Sequence, residues 1–204
     1  SFSKPVRITD RFFILPPEIE SIAGPNDIDI RIIAGISFGT GHHPTTRLCL
    51  TALDRLFFST AVSDHLQGGK AGDIGTGSGV LAIAACLGGM SRCTAWETDP
   101  NAVSEACRNV AANGLENRIN IIHDIMTPRD LRLSLVMANL RFPTLKQIAS
   151  DICSILVPGG YLILSGVREW EMDNLKTHYS ALGFSIDWER EEKMWGALTL
   201  RKKP

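Results

Sequence analysis

The chain has no excess charge of either sign: 21 lysines and arginines stand against 22 aspartates and glutamates, a net charge of −1 over 204 residues. That balance lacks the electrostatic footprint that nucleic acid or an anionic membrane would favour, and it points instead to a protein or small-molecule partner. There is no C-x-x-C pair. Cys49, Cys86, Cys93, Cys107 and Cys153 are odd in number and scattered, which reads as reduced core thiols in a cytoplasm. No apolar run approaches the roughly 20 residues of a membrane span, the longest being of the kind of VLAIAACLGG at 80–89. No secretory or transit segment, internal repeat or low-complexity tract is visible. The chain opens SFSKPV without a methionine, as a processed or trimmed chain or a single domain of a longer one would.

What is present, from residue 40 onward, is an alternation of helix-like and strand-like segments, which predicts an α/β fold with a mostly parallel sheet covered on both faces. Helices are expected over 44–58, 79–87, 100–113, 143–156 and 168–182. Strands are expected over a short run ending at 75, then 93–97, 118–123, 133–139 and 161–165. Asp99 followed by Pro100 supplies an N-cap and a first-turn proline. Pro158-Gly159-Gly160 reads as a turn. FSIDWE at 184–189 and MWGALTLR at 194–201 are close enough to form an antiparallel hairpin at the sheet edge, giving seven strands. Residues 1–37 carry prolines at 5, 16, 17 and 25, and IDIRIIAG alternates like a short exposed strand. They read as an arm or ribbon ahead of a domain over 38–204.

The chemistry concentrates at DIGTGSG, 73–79, a strand-to-helix turn followed by Glu97 at the tip of the next strand. Gly75 and Gly77 let backbone approach a ligand, and a carboxylate at the second strand's end can accept both hydroxyls of a ribose. A dinucleotide fingerprint would require a small residue where the chain has Val80. Asp73 inside the loop would repel a pyrophosphate but suits a ligand with an ammonium and a sulfonium, which describes S-adenosylmethionine. Asp124 ends the third strand, where it could meet an adenine amino group. Asn139 ends the fourth, where a neutral amide can orient an amine and leave its lone pair free; it is the candidate catalytic residue. Asn139 to Phe142 weakly echoes the N-P-P-Y/F turn of amide and base methylating enzymes, although Phe142 also reads as a packed side chain. No metal site is expected, because His42 and His43 have no partners at ligand spacing. His43 is expected to pack or hydrogen-bond within its loop.

FGTGHHPTTRLCL, DIGTGSGVLAIAA, WETDP, VMANL, LVPGGYLILSG and EEKMWGALTLR together resemble the PrmA family, methyltransferases of large-subunit ribosomal protein 11, in order from about residue 5 to 201. The resemblance implies a class I, Rossmann-like, S-adenosylmethionine-dependent methyltransferase acting on amino groups of a protein, with S-adenosylhomocysteine as product. Thr46, Gly75, Glu97 and Asn139 match the family's cofactor positions, and Phe38 to Thr46 match a loop folded over the methionine end, with Phe38, Thr40 and Thr46 as candidate contacts. The chain departs from the family in four places. It has room only for the linker after the family's small N-terminal domain, Ala71-Gly72 replaces two bulky aliphatics and weakens the first strand, Glu97 replaces aspartate, and Arg141-Phe142-Pro143 follows Asn139. The expected protein is a cytoplasmic monomer with a protein substrate, for which a ribosomal protein is the candidate the resemblance implies, and no membrane or nucleic-acid partner. The rival readings are a methyltransferase of the same fold for a small molecule or nucleic acid, and a non-catalytic S-adenosylmethionine-binding paralogue.

Overall fold

The computed structural model describes residues 4–21, 24, 26–33, 35, 43–58, 66–128 and 131–204. Five parallel strands form the body of the sheet: β4 (Lys70–Ile74), β5 (Arg92–Glu97), β6 (Ile119–His123), β7 (Leu133–Asn139) and β8 (Leu156–Arg168); β6, β7 and β8 are rich in Val, Ile and Leu, while β4 and β5 bury smaller residues and Trp96. Around them lie α1 (Pro44–Phe58), α2 (Val80–Gly88), α3 (Pro100–Ala112), α4 (Phe142–Gln147), α5 (Ala149–Ile155) and α6 (Met172–Ala181). The chain closes with β9 (Phe184–Glu192) and β10 (Trp195–Lys202), which pair antiparallel with each other, β10 lying against β8. The sheet order is β6-β5-β4-β7-β8-β10-β9, a seven-stranded, mostly parallel sheet with an antiparallel C-terminal hairpin.

Side chains alternate between the two faces of each strand, so the central strands feed two cores at once. Leu135 and Met137 of β7 join α1 and α2 on one face, while Val136 and Ala138 join α4, α5 and α6 on the other. Helix α2 is apolar all round and accordingly buried all round. Gly72 does not weaken β4 as its small size suggested. A Cβ there would lie 2.8 Å from Leu133 and 3.2 Å from the Trp96 ring, so the indole of the neighbouring strand fills the space a larger residue would take.

Elsewhere the structure redraws boundaries. The helix expected over 143–156 is two short helices joined at Ile148, and the one expected from 168 opens as a 3-10 turn at Glu169–Glu171. Pro158-Gly159-Gly160 lies inside β8: Leu133 pairs with Leu156 and Leu135 with Tyr161, so those residues bulge out of a ladder that then resumes. The N-terminal ribbon is β1 (Val6–Arg7), β2 (Phe12–Leu15) and β3 (Ile28–Arg31), with β1-β2 antiparallel and β2-β3 parallel. Its third strand is not the exposed one its alternation suggested, because Ile30 and Ile32 are fully buried in the core shared with α1 and α2. Side chains of α3 and of Asn113 at its C-terminal end serve the ribbon's backbone in place of another strand. Arg31 N–H donates to Asn113 Oδ1 at 2.9 Å, Asn113 Nδ2 donates to Arg31 O at 2.7 Å, and Ile33 N–H donates to Asn109 Oδ1 at 2.8 Å.

Candidate functional site

Strand order reverses between β4 and β7, and in open parallel sheets the crevice at such a reversal, beyond the carboxyl ends of the strands, is where ligands bind. A cavity of about 750 Å3 lies there. Gly75 to Gly77 and Glu97 form one wall, Asp124 to Met126 a second, and Asn139 to Arg141 a third, while His43, Thr45, Thr46 and Trp195 also line it.

The first wall is a loop in which Gly75, Gly77 and Gly79 take φ of +70°, +55° and +83°, a run that side chains with a Cβ rarely adopt. Gly75 N–H and Thr76 N–H both donate to Trp96 O, at 2.9 and 3.0 Å. Glu97 Oε2 accepts from Gly77 N–H at 2.9 Å, and its Oε1 accepts from Thr98 and Asp99 N–H at 2.8 and 3.1 Å. The carboxylate is thus fixed on the cavity wall with lone pairs to spare. The loop is also tied to the ribbon, since Asn109 Nδ2 donates to Ser78 O at 2.8 Å while its Oδ1 holds Ile33.

Asp73 corrects the sequence reading. Its carboxylate does not face the cavity; it is 1 % exposed beneath the loop, where Oδ2 accepts from Thr76 Oγ1 at 2.6 Å and from Ala82 N–H at 3.1 Å. Burial pushes its pKa up to about 6 against the opposing effect of those two hydrogen bonds, and the Glu97 charge adds to the rise. Asp73 therefore ties the loop to the first turn of α2. Asp99 caps α3 by accepting from Asn101 N–H at 2.9 Å.

Two buried oxygens on the remaining walls have no hydrogen-bond partner among the described residues: Thr46 Oγ1 and Asn139 Oδ1. A buried acceptor left unpaired costs about 1–3 kcal/mol, so two on the walls of one cavity mark where a polar ligand would supply the missing bonds. Asp124 is exposed at the opposite side and accepts from Ile125 N–H at 2.7 Å. Glu97, Asp124, Thr46, Asn139 and the glycine loop thus come together, and they suit a ligand with a ribose, an adenine and an amino-acid end. Phe38 and Thr40 lie outside the described residues. Phe142 packs into the core on the α4–α6 face and does not line the cavity.

The sequence reading missed Trp195, while His43 hydrogen-bonds within its own segment as expected. His43 Nδ1 lies 2.8 Å from Thr45 Oγ1 and 3.3 Å from Thr45 N, and its ring meets Trp195 edge-on at 4.9 Å. Burial lowers the histidine pKa, and the charges of Arg47 and Arg168 lower it further against the opposing pull of Glu192, which favours the charged ring; the net shift is toward the neutral form. The run EEKMWG at the turn into the last strand was the available signal, but only pairing of β10 with β8 brings residue 195 to the cavity. No group of three or more potential metal ligands gathers among the described residues.

Comparison with known proteins follows the same lines. The family model described as "Ribosomal protein L11 methyltransferase (PrmA)" matches residues 1–203. Proteins named ribosomal protein L11 methyltransferase from Geotalea uraniireducens and Geobacter sp. are 35 % and 36 % identical to it, each over 98 % of this chain. The chain spans 65 % and 64 % of the length of those relatives. A crystal structure of ribosomal protein L11 methylase from Lactobacillus delbrueckii subsp. bulgaricus superposes with a TM-score of 0.85 at 23 % identity, covering 100 % of both chains. A 16S rRNA methyltransferase from T. thermophilus, in complex with AdoMet and guanosine, superposes at 0.66 with 19 % identity over 82 % of this chain and 45 % of its own. Those two likenesses establish the shared fold of class I methyltransferases.

Proposed function

The chain belongs to the ribosomal protein L11 methyltransferase family, and from that premise we propose that it transfers a methyl group from S-adenosylmethionine to an amino group of a protein, with ribosomal protein L11 as the first acceptor to test. The observation that carries the reading is the pair of unpartnered buried oxygens, Thr46 Oγ1 and Asn139 Oδ1, in a cavity that also presents a glycine loop and the fixed carboxylate of Glu97.

S-adenosylmethionine supplies, when bound, a methyl group on a sulfonium. The chain's own residues have to hold that ligand, present an uncharged amine and keep water out. Glu97 is placed to accept ribose hydroxyls, Gly75 and Gly77 to let the backbone come close, and Asp124 to meet the adenine edge. Thr46 is placed for the amino-acid end.

Asn139 Oδ1 can accept a hydrogen from the acceptor amine, which orients the nitrogen without consuming its lone pair. A lysine with an ordinary pKa of about 10.4 must shed a proton before attack, and loss of solvent or nearby positive charge favours the neutral form. His43, Thr45 and Trp195 line the cavity, and Arg168 packs on Trp195. Alignment and exclusion of water then carry most of the catalysis, a contribution of about 7–11 kcal/mol in well-oriented reactions.

Two measurements test this together. Calorimetric titration should show S-adenosylhomocysteine binding more tightly than NAD; the reverse order overturns the cofactor assignment. Asn139→Ala should depress methyl transfer while leaving S-adenosylhomocysteine affinity within a few fold. A proportionate loss of both would make Asn139 a cofactor ligand only.

A further inference from the structure

Beyond Trp195 the molecule carries a surface that neither the fold nor the cofactor cavity requires. The guanidinium of Arg168 lies 3.8 Å over the ring of Trp195, which lines the cavity, and 5.8 Å from the ring of Trp170, which is 68 % exposed. A column of rings and cation therefore runs from His43 inside the cavity to an indole in solvent. Beside it stands Met194, 55 % exposed. It is held there by a two-residue hairpin turn in which Lys193 and Met194 take φ of 49° and 63°, and by Glu169 N–H donating to Met194 O at 3.2 Å.

The same two segments, 168–173 and 189–194, hold six carboxylates against three cations. Internal bonds account for several of them. Glu171 Oε2 accepts from Arg168 N–H at 2.8 Å, Glu192 pairs with Arg47, and Asp173 and Glu189 share Lys176 at 2.7 and 3.0 Å. Arg190 belongs elsewhere, in the hollow it lines with Arg11 and Asp54. Glu169 and Glu191 are left, with Lys193 at the hairpin tip: all three are exposed and have no side-chain partner among the described residues, so two negative charges stand against one positive. Large exposed apolar groups rimmed by unpaired charge mark interaction surfaces, and an indole next to carboxylates accepts a lysine stem and its ammonium together.

We propose that Trp170, Met194, Glu169 and Glu191 form the landing surface for the amine-bearing segment of the substrate, an extended lysine-containing stretch of polypeptide that passes over Trp170 on its way to Asn139. The proposal rests on the reading as a protein methyltransferase and adds the chemistry of the acceptor's flanks. The charge is complementary, and the surface is continuous with the cavity through Arg168 and Trp195.

Binding can be tested apart from turnover, by fluorescence anisotropy of a labelled lysine–glycine repeat peptide on the protein loaded with S-adenosylhomocysteine. The expected result is salt-sensitive binding that Trp170→Ala, and separately Glu169→Gln with Glu191→Gln, weakens by about tenfold, the scale of one interfacial anchor. Glu116→Gln, on an exposed loop away from the rim, and the affinity for S-adenosylhomocysteine should not change. Equal peptide affinity for the rim variants and the wild type, or wild-type preference for a glutamate–glycine peptide, overturns the proposal. If the wild type binds the lysine peptide through Trp170 yet methylates no protein amine, the landing surface stands and the methyltransferase reading falls.

Discussion

Asp73 and Glu97 are both carboxylates at the carboxyl ends of adjacent strands, and their surroundings assign them different work. Glu97 is half-buried on the cavity wall, so Glu97→Ala should weaken S-adenosylhomocysteine binding by about 1.5–3 kcal/mol, the usual size for hydrogen bonds to a charged group. Unchanged affinity in calorimetry would remove it from the site. Asp73, sealed beneath the loop, has its pKa raised from 3.8 to about 6. The folded state then holds a proton that the unfolded state has released. Stability from this group is fully present below pH 3.8 and is lost as pH rises through about 6, an effect on the order of 2–3 kcal/mol. Urea titrations across that range should show the decline in the wild type and its absence in Asp73→Asn; an equal slope in both would assign it to another group. The motif alone suggested that Asp73 faced the ligand, because a one-dimensional pattern gives a carboxylate's neighbours in sequence but not the direction of its side chain.

At the scale of elements, the site depends on how the end of β8 meets the end of β7. Leu140 N–H donates to Ser165 O at 3.0 Å, and Gly166, at φ +86°, sits so close that a Cβ would fall 2.5 Å from Leu140 O. That neighbour is backbone and cannot swing aside. Gly166→Ala should cost at least about 2 kcal/mol of stability and displace the Asn139 turn, lowering methyl transfer as well. Gly114 is the control: its φ is also positive, +65°, but nothing lies within 4 Å of the added carbon. Gly114→Ala should cost only about 1–2 kcal/mol in denaturant melts and leave transfer alone. If the two variants lose equal stability and activity, the contact with Leu140 has no special weight. Most elements themselves were legible: α1 and β7 form over the residues their periodicity predicts. The break at Ile148 and the bulge at 157–160 were not, because packing against β7 and α6 decides them.

For the molecule as a whole, the ribbon is part of the main core. Phe12 is fully buried in the cluster that contains α1 and α2, and the ribbon just beyond β3 is held at Ile33 by Asn109, which also holds the glycine loop. Phe12→Ala should therefore destabilise the entire domain by about 3–5 kcal/mol, with tryptophan fluorescence from the large sheet and far-ultraviolet dichroism shifting together. A fluorescence midpoint that stays put while part of the dichroism melts early would show the ribbon unfolding by itself. The sequence by itself determined the order of elements, the parallel sheet and the glycine loop with Glu97 and Asn139, because these rest on local periodicity and on residue types that suit strand ends. Only the tertiary structure decided that Asp73 turns inward, that Trp96 fills the space at Gly72 and that the ribbon is core. It also decided that Trp195 reaches the cavity. Each of those depends on which strands become neighbours, and strand order brings together residues that no spacing along the chain relates.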